Sequence, residues 1–134
     1  LGLPGEYVNA VAIDPANRVW LGTDKGLCVN LGKRWKTYTR KDGLTNDNVF
    51  CVAADSKGSV WAGTENGLNR VEDGNVTAYT SKDGLALDYV GAVAVGPGGT
   101  PWCATVNHIN RLENGKWTGF DVEAAVKSFA EMKK

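Results

Sequence analysis

The sequence lacks any surplus of charge: fifteen Lys and Arg residues balance fifteen Asp and Glu residues over 134 positions. Without a cationic excess there is little to attract phosphate backbones or anionic lipid, so neither nucleic acid nor a membrane surface is an expected partner. No stretch approaches the ~18–20 consecutive apolar residues of a spanning helix, so membrane insertion is not expected either. The opening "LGLPGEYV" has neither the basic residues nor the apolar run of a secretory signal. Histidine occurs once, as His108, and cysteine three times, as Cys28, Cys51 and Cys103, with no CxxC and no Cys/His cluster. A disulfide framework, a metal site and a cofactor are therefore not expected. The three cysteines lie in apolar strand-like runs, where a free thiol acts as a small hydrophobe, and this favours a reducing compartment. Helical rhythm is missing as well, since no window of about 10–12 residues before residue 121 has a 3.6-residue apolar period.

Repetition is what the chain does have. "RVWLGTDKGL" at 18–27 returns as "SVWAGTENGL" at 59–68 and, more loosely, as "TPWCATVNHI" at 100–109. Trp20, Trp61 and Trp102 stand 41 residues apart, as do Thr23, Thr64 and Thr105, and Tyr38, Tyr79 and Phe120. "KDGL" at 41–44 recurs at 82–85. The units run over residues 3–43, 44–84 and 85–123. Each reads as four short strands: a small-residue run ("VNAVAI", "VFCVAA", "VGAVAV"), a Trp strand (18–22, 59–63, 100–104), a third after "TDKG", "TENG" or "TVNH", and an aromatic fourth ("WKTY", "VTAY", "WTGF"). Four strands in about 40 residues, repeated, is the period of a β-propeller blade. The expected fold is all-β: a propeller fragment of three four-stranded blades over 1–123. The tryptophans are read as plugs between adjacent sheets.

The phrases "VAIDPANRVWLGTDKGL" and "VAADSKGSVWAGTENGLNRV", each followed by an aromatic strand and "DGL", resemble the two-component regulator propeller repeat. The resemblance covers residues 3–112 and fades in the third unit, where Ala104 and His108 replace the glycines at 22 and 63 and at 26 and 67. It implies a bacterial sensor propeller placed ahead of a kinase, often for glycan-derived ligands, in the periplasm or outside the cell, or else a stand-alone propeller protein. Its signature positions are structural, so it speaks for fold more than for function.

Propellers close with about four to eight blades, so three leave two bare sheet faces. The expected completion is a homodimer forming a six-bladed ring about a two-fold axis, or else further blades of a longer chain. The tail, "DVEAAVKSFAEMKK" at 121–134, reads as a short helix. Asp121 is a possible cap, and Val122, Val126 and Phe129 share one face.

Groups for catalysis are few. No serine stands in a nucleophile-elbow pattern, and His108 reads as a loop residue before it reads as a base. Asp14, Asp55, Asp42 and Asp83 read as turn residues bonded to their own backbone rather than as metal ligands. The better candidates for a site are the second-to-third-strand loops and the inter-blade links, which would gather at one end of the blades. They contribute Asp24, Lys25, Glu65, Asn66, Asn107 and His108, with Tyr7, Asp47, Asn48 and Tyr89, and with Asn46 and Asp88 beside them. Amides, carboxylates and aromatics around a concave mouth suit a small polar ligand such as a sugar or short peptide. The expected function is non-catalytic ligand sensing or binding. A protein-interaction scaffold is the alternative, and a lyase of the streptogramin-cleaving type is a remote third.

Overall fold

The computed structural model describes Leu3, residues 5–123, Lys127 and Ala130. Twelve strands form three four-stranded antiparallel sheets, each in simple up-and-down order. The first holds β1 (Val8–Ile13), β2 (Val19–Thr23), β3 (Gly26–Asn30) and β4 (Trp35–Tyr38). The second holds β5 (Val49–Ala54), β6 (Val60–Thr64), β7 (Gly67–Glu72) and β8 (Asn75–Tyr79). The third holds β9 (Val90–Val95), β10 (Pro101–Thr105), β11 (His108–Glu113) and β12 (Lys116–Asp121). The Trp strands start and end one residue later than their apolar run implies, because Thr23, Thr64 and Thr105 close the ladder opposite Gly26, Gly67 and His108. Asp121 ends β12, and the rest of the expected helical tail lies largely outside the described residues.

The first strands β1, β5 and β9 lie beside one another, so the sheets stack face to face with their inner edges together. Each first strand carries a register shift near its start, between Val8 and Ala10 and at the same place in β5 and β9. The extra residue reverses the alternation, placing Val8, Val11 and Ile13 on one face and Ala10 and Ala12 on the other. Two seams result. In one, Trp20, Leu27, Val29 and Tyr38 of the first sheet pack on Val49, Val60, Ala62 and Val71 of the second, with Leu44 of the connecting link. In the other, Trp61 and Leu68 pack on Val90, Cys103 and Trp117 of the third, with Leu85 of the next link. Trp20 and Trp61 are 4% and 2% exposed, the seam plugs their spacing implies, whereas Trp102 faces the open side of the third sheet and is only half-buried.

The links are built identically. Thr39 and Thr80 cap the 3-10 turns Arg40–Asp42 and Ser81–Asp83, and Asp42 and Asp83 reach back to accept from the cap N–H groups at 2.9 Å. This reciprocal capping box differs from the Asx turn expected for "KDGL". It aims Leu44 and Leu85 into the seams.

The first turn of each of the first two units also does more than its sequence announces. Asp14 accepts from the Trp20 indole N–H at 2.8 Å, from Arg18 Nε at 2.8 Å and from Arg18 N at 2.9 Å. Asp55 accepts from Ser59 N and Lys57 N at 2.9 Å and, at 3.4 Å, from the Trp61 indole N–H. Burial pushes the Asp14 carboxyl up, but the bonds from Trp20 and Arg18 outweigh it and hold its pKa below the ordinary value of 3.8. A folded-state pKa below the unfolded one contributes stability above the unfolded pKa, and the contribution is lost as pH falls through the folded value. Asp14→Ala should therefore cost about 1–3 kcal/mol at neutral pH, through the indole and guanidinium donors it strands. Thermal unfolding should show the gap to wild type shrinking as the pH falls below the ordinary carboxyl value of 3.8. A gap independent of pH would contradict this role.

Candidate functional site

The links and the second-to-third-strand turns lie at one end of the sheets, because each link leads into the strand that pairs with the start of its turn: Val8 with Thr23, Val49 with Thr64, Val90 with Thr105. The turns are held from beneath by the repeated threonine. Thr23 Oγ1 donates to Gly26 O at 2.9 Å and accepts from Lys25 N at 3.1 Å, and Thr64 repeats this with Gly67 O and Asn66 N. Gly26 and Gly67 have φ of 137° and 144°, and a Cβ there would lie 2.6 and 2.5 Å from the carbonyl oxygens of Tyr38 and Tyr79. The third turn, with His108 at this place, moves the positive φ one residue earlier, to Asn107 at 58°. This is the different loop shape that loss of the glycine implies.

At this end the side chains form a rim that is mostly polar. Asp24 Oδ1 accepts from Tyr7 N at 3.2 Å, and Asn9 Nδ2 donates to Asn48 Oδ1 at 3.2 Å, joining the first sheet to the second. Asn46 Nδ2 donates to Glu65 Oε1 at 3.1 Å and Asn66 Oδ1 at 2.6 Å. Phe50 and Tyr89 pair with centroids 5.1 Å apart, joining the second sheet to the third. Tyr7 and Tyr89 remain 68% and 47% exposed. His108 Nδ1 lies 2.9 Å from Val106 O, a carbonyl that only accepts, so Nδ1 is the donor in this contact.

The ten sequence-derived candidates divide into two groups. Asp47 is spent on structure: its Oδ1 accepts from Arg40 N at 2.8 Å, as Asp88 does from Ser81 N at 2.7 Å, so both brace the link turns. Asn48 joins two sheets. Tyr7, Asp24, Lys25, Glu65, Asn66, Tyr89, Asn107 and His108 border the rim itself, on the three turns and on the first and third links. Asn46 and Asn9 join it through their bonds to Glu65, Asn66 and Asn48. Asn9 was hidden inside a strand-like run, and its only signal is that the equivalent positions hold Phe50 and Gly91.

The thiols carry no nucleophile. Burial pushes Cys51 up to about 11 and Cys103 up to about 12, and raises Cys28 too. Cys28 and Cys103 are 0% and 3% exposed. Their reduced state thus follows from burial and gives no reason to favour a reducing compartment. Among the described residues, no three His, Cys, Asp or Glu side chains cluster as a metal site would require, and no helix is long and apolar enough to cross a membrane.

A repeat of this construction has a known counterpart: residues 2–25 and 43–66 match the Two component regulator propeller family. The likeness to this propeller repeat lies in the first two units. The matched segments end in the Trp strand and turn of the first two units, and the third unit, with Ala104 and His108, falls outside them. Solved propellers share the fold. An extracellular domain assigned to the hybrid two component system BT3049 of B. thetaiotaomicron superposes with a TM-score of 0.79 at 23% identity, covering 92% of this chain and 20% of that one. Virginiamycin B lyase of Staphylococcus aureus gives a TM-score of 0.69 at 20% identity, covering 85% of this chain and 41% of that one. A streptogramin B lyase gives 0.72 at 17% identity, covering 90% and 42%. The propeller repeats here therefore span less than half the length of these structures. No curated protein matches the sequence.

Proposed function

We propose that the chain is a non-catalytic recognition module whose polar rim binds a small polar ligand, a glycan above all. The observation that carries this reading is the composition of the rim. Exposed Tyr7 and Tyr89 sit among Asp24, Glu65, Asn66 and Asn107, on a scaffold whose own needs are met by buried threonines and valines. Sugars present apolar ring faces beside hydroxyl groups, and they are matched by aromatic platforms set among carboxylates and amides. The likeness to an extracellular sensor domain supports a sensory role and a place outside the cytoplasm. A scaffold role is the second reading, favoured by the apolar faces left open at both ends of the stack. A lyase reading rests on His108 alone, and its Nδ1 is engaged by the main chain of its own turn.

The test is a glycan array read with the wild type and with Glu65→Ala and Tyr89→Ala. We expect binding to a restricted set of glycans and a loss of about tenfold or more in each variant, since stranded polar groups and lost platforms cost 1–3 kcal/mol or so. No glycan bound, or binding that survives both substitutions, would sink the proposed site.

A further inference from the structure

The two seams define two kinds of sheet face. One presents Trp, Leu and Tyr: Trp20, Leu27 and Tyr38 in the first sheet, Trp61, Leu68 and Tyr79 in the second. The other receives them on small and β-branched residues, as Val49 and Val60 do in the second sheet and Val90 and Cys103 in the third. Among the described residues, the stack ends with one face of each kind uncovered. The first sheet offers a receiving face, where Val8, Val11 and Ile13 are 53%, 62% and 55% exposed although Val49 and Val90, the counterparts of Val8, are 0% exposed. Leu3, whose counterparts Leu44 and Leu85 are buried in the seams, is 44% exposed beside it. The third sheet offers a presenting face. Ala92, Ala94, Trp102, Ala104 and Ile109 line an apolar hollow of about 230 Å3 there, and half-buried Phe120 holds the place of Tyr38 and Tyr79.

We propose that the open face of the third sheet docks on the open face of the first sheet in a second copy of the chain. Two such contacts, related by a two-fold axis, make a ring of two three-sheet chains. The contact continues an interface the chain already makes twice, between the same repeat positions, so its chemistry is that of the interior seams. A face meeting its own kind would set Trp102 against Trp102 and valine against valine, a pairing found in neither seam. The repeat also shows where the contact departs from the seams. Gly22 and Gly63 let the next first strand come close, since a Cβ on them would stand 2.9 and 2.7 Å from Cγ1 of Val49 and Val90. Ala104 carries that Cβ, so the second copy sits back by a few tenths of an ångström. The contact is correspondingly weaker than a seam, and it dissociates on dilution.

Light scattering on the 134-residue chain between about 1 and 100 µM reads this directly. A species of twice the chain mass is expected, dissociating on dilution. Val11→Glu and Ile109→Glu, both at positions that are at least partly exposed in one chain, should each give a folded monomer by circular dichroism. Mixed together, they should pair again through the one intact combination of faces. Ala104→Gly should tighten the wild-type pair several-fold. A folded wild-type monomer throughout the range, a larger or open-ended assembly, or pairing that survives in Val11→Glu alone would overturn the proposal.

Discussion

Trp61→Ala is expected to lose about 3–5 kcal/mol of stability, the range for truncating a buried aromatic. That is a large part of the ~5–15 kcal/mol that holds a domain folded. Trp61 is 2% exposed, stacks on Tyr79 at 6.0 Å, meets Trp117 edge-on at 6.3 Å and lies under the Arg70 guanidinium at 5.3 Å. Alanine would empty the middle of the second seam and remove the indole N–H that approaches Asp55 Oδ2. Trp102→Ala changes the same repeat position on the open side of the stack, where the ring is only half-buried. Its cost should be well under that of Trp61→Ala when both are measured by denaturant unfolding at one low protein concentration. Equal losses would mean that the third tryptophan also sits in a sealed seam.

Gly63→Ala adds one methyl group and should cost about 1–3 kcal/mol, at the upper end of that range for overpacking. Backbone conformation is not the obstacle, because Gly63 is not among the glycines with positive φ. Space is. The new Cβ would lie 2.5 Å from Cys51 Sγ, 2.7 Å from Val90 Cγ1 and 3.0 Å from the Val90 carbonyl oxygen. The thiol can rotate away, but the carbonyl belongs to β9, which is held by its pairing with β10 and its packing against β5, and cannot. The two sheets must then part along the seam, and the contacts of Leu68 and Leu85 loosen with them. Combining Gly63→Ala with Val90→Ala should therefore cost less than the sum of the two alone. Strict additivity in unfolding measurements would show that the seam is not closed at this point.

The stack of sheets was legible because a 41-residue spacing repeats tryptophan, threonine and an aromatic without a gap. What the spacing conceals is which face each residue takes. The bulge at Asn9, Phe50 and Gly91 inverts the alternation within the first strands, so Val8 and Val11 share a face that a simple period of two would deny them. Two motifs that read as turns bonded to their own backbone hold more than their own turn. The threonine three positions before Asp42 and Asp83 marks a capping box, a signal available in the sequence. The six-residue step from Asp14 to Trp20 and from Asp55 to Trp61 marks a carboxylate holding an indole, and its absence at Gly96 accompanies the looser third unit. Asp47 looked like a rim residue because it lies in a link, yet its partner, the N–H of Arg40, is seven positions back and visible only once the turn is formed. That Asp24, Glu65 and Asn66 lie on the second-to-third-strand turns was readable, since these positions vary while the framework around them repeats.

Amide hydrogen exchange of the monomeric chain tests most directly that three sheets are stacked through two sealed seams. Among the described residues the second sheet alone is covered on both faces, so the slowest amides should lie in β6 and β7, with those of β1 and β12 exchanging faster. Protection in β1 or β12 equal to or above that of β6 and β7 would contradict the stacking on which the rest depends.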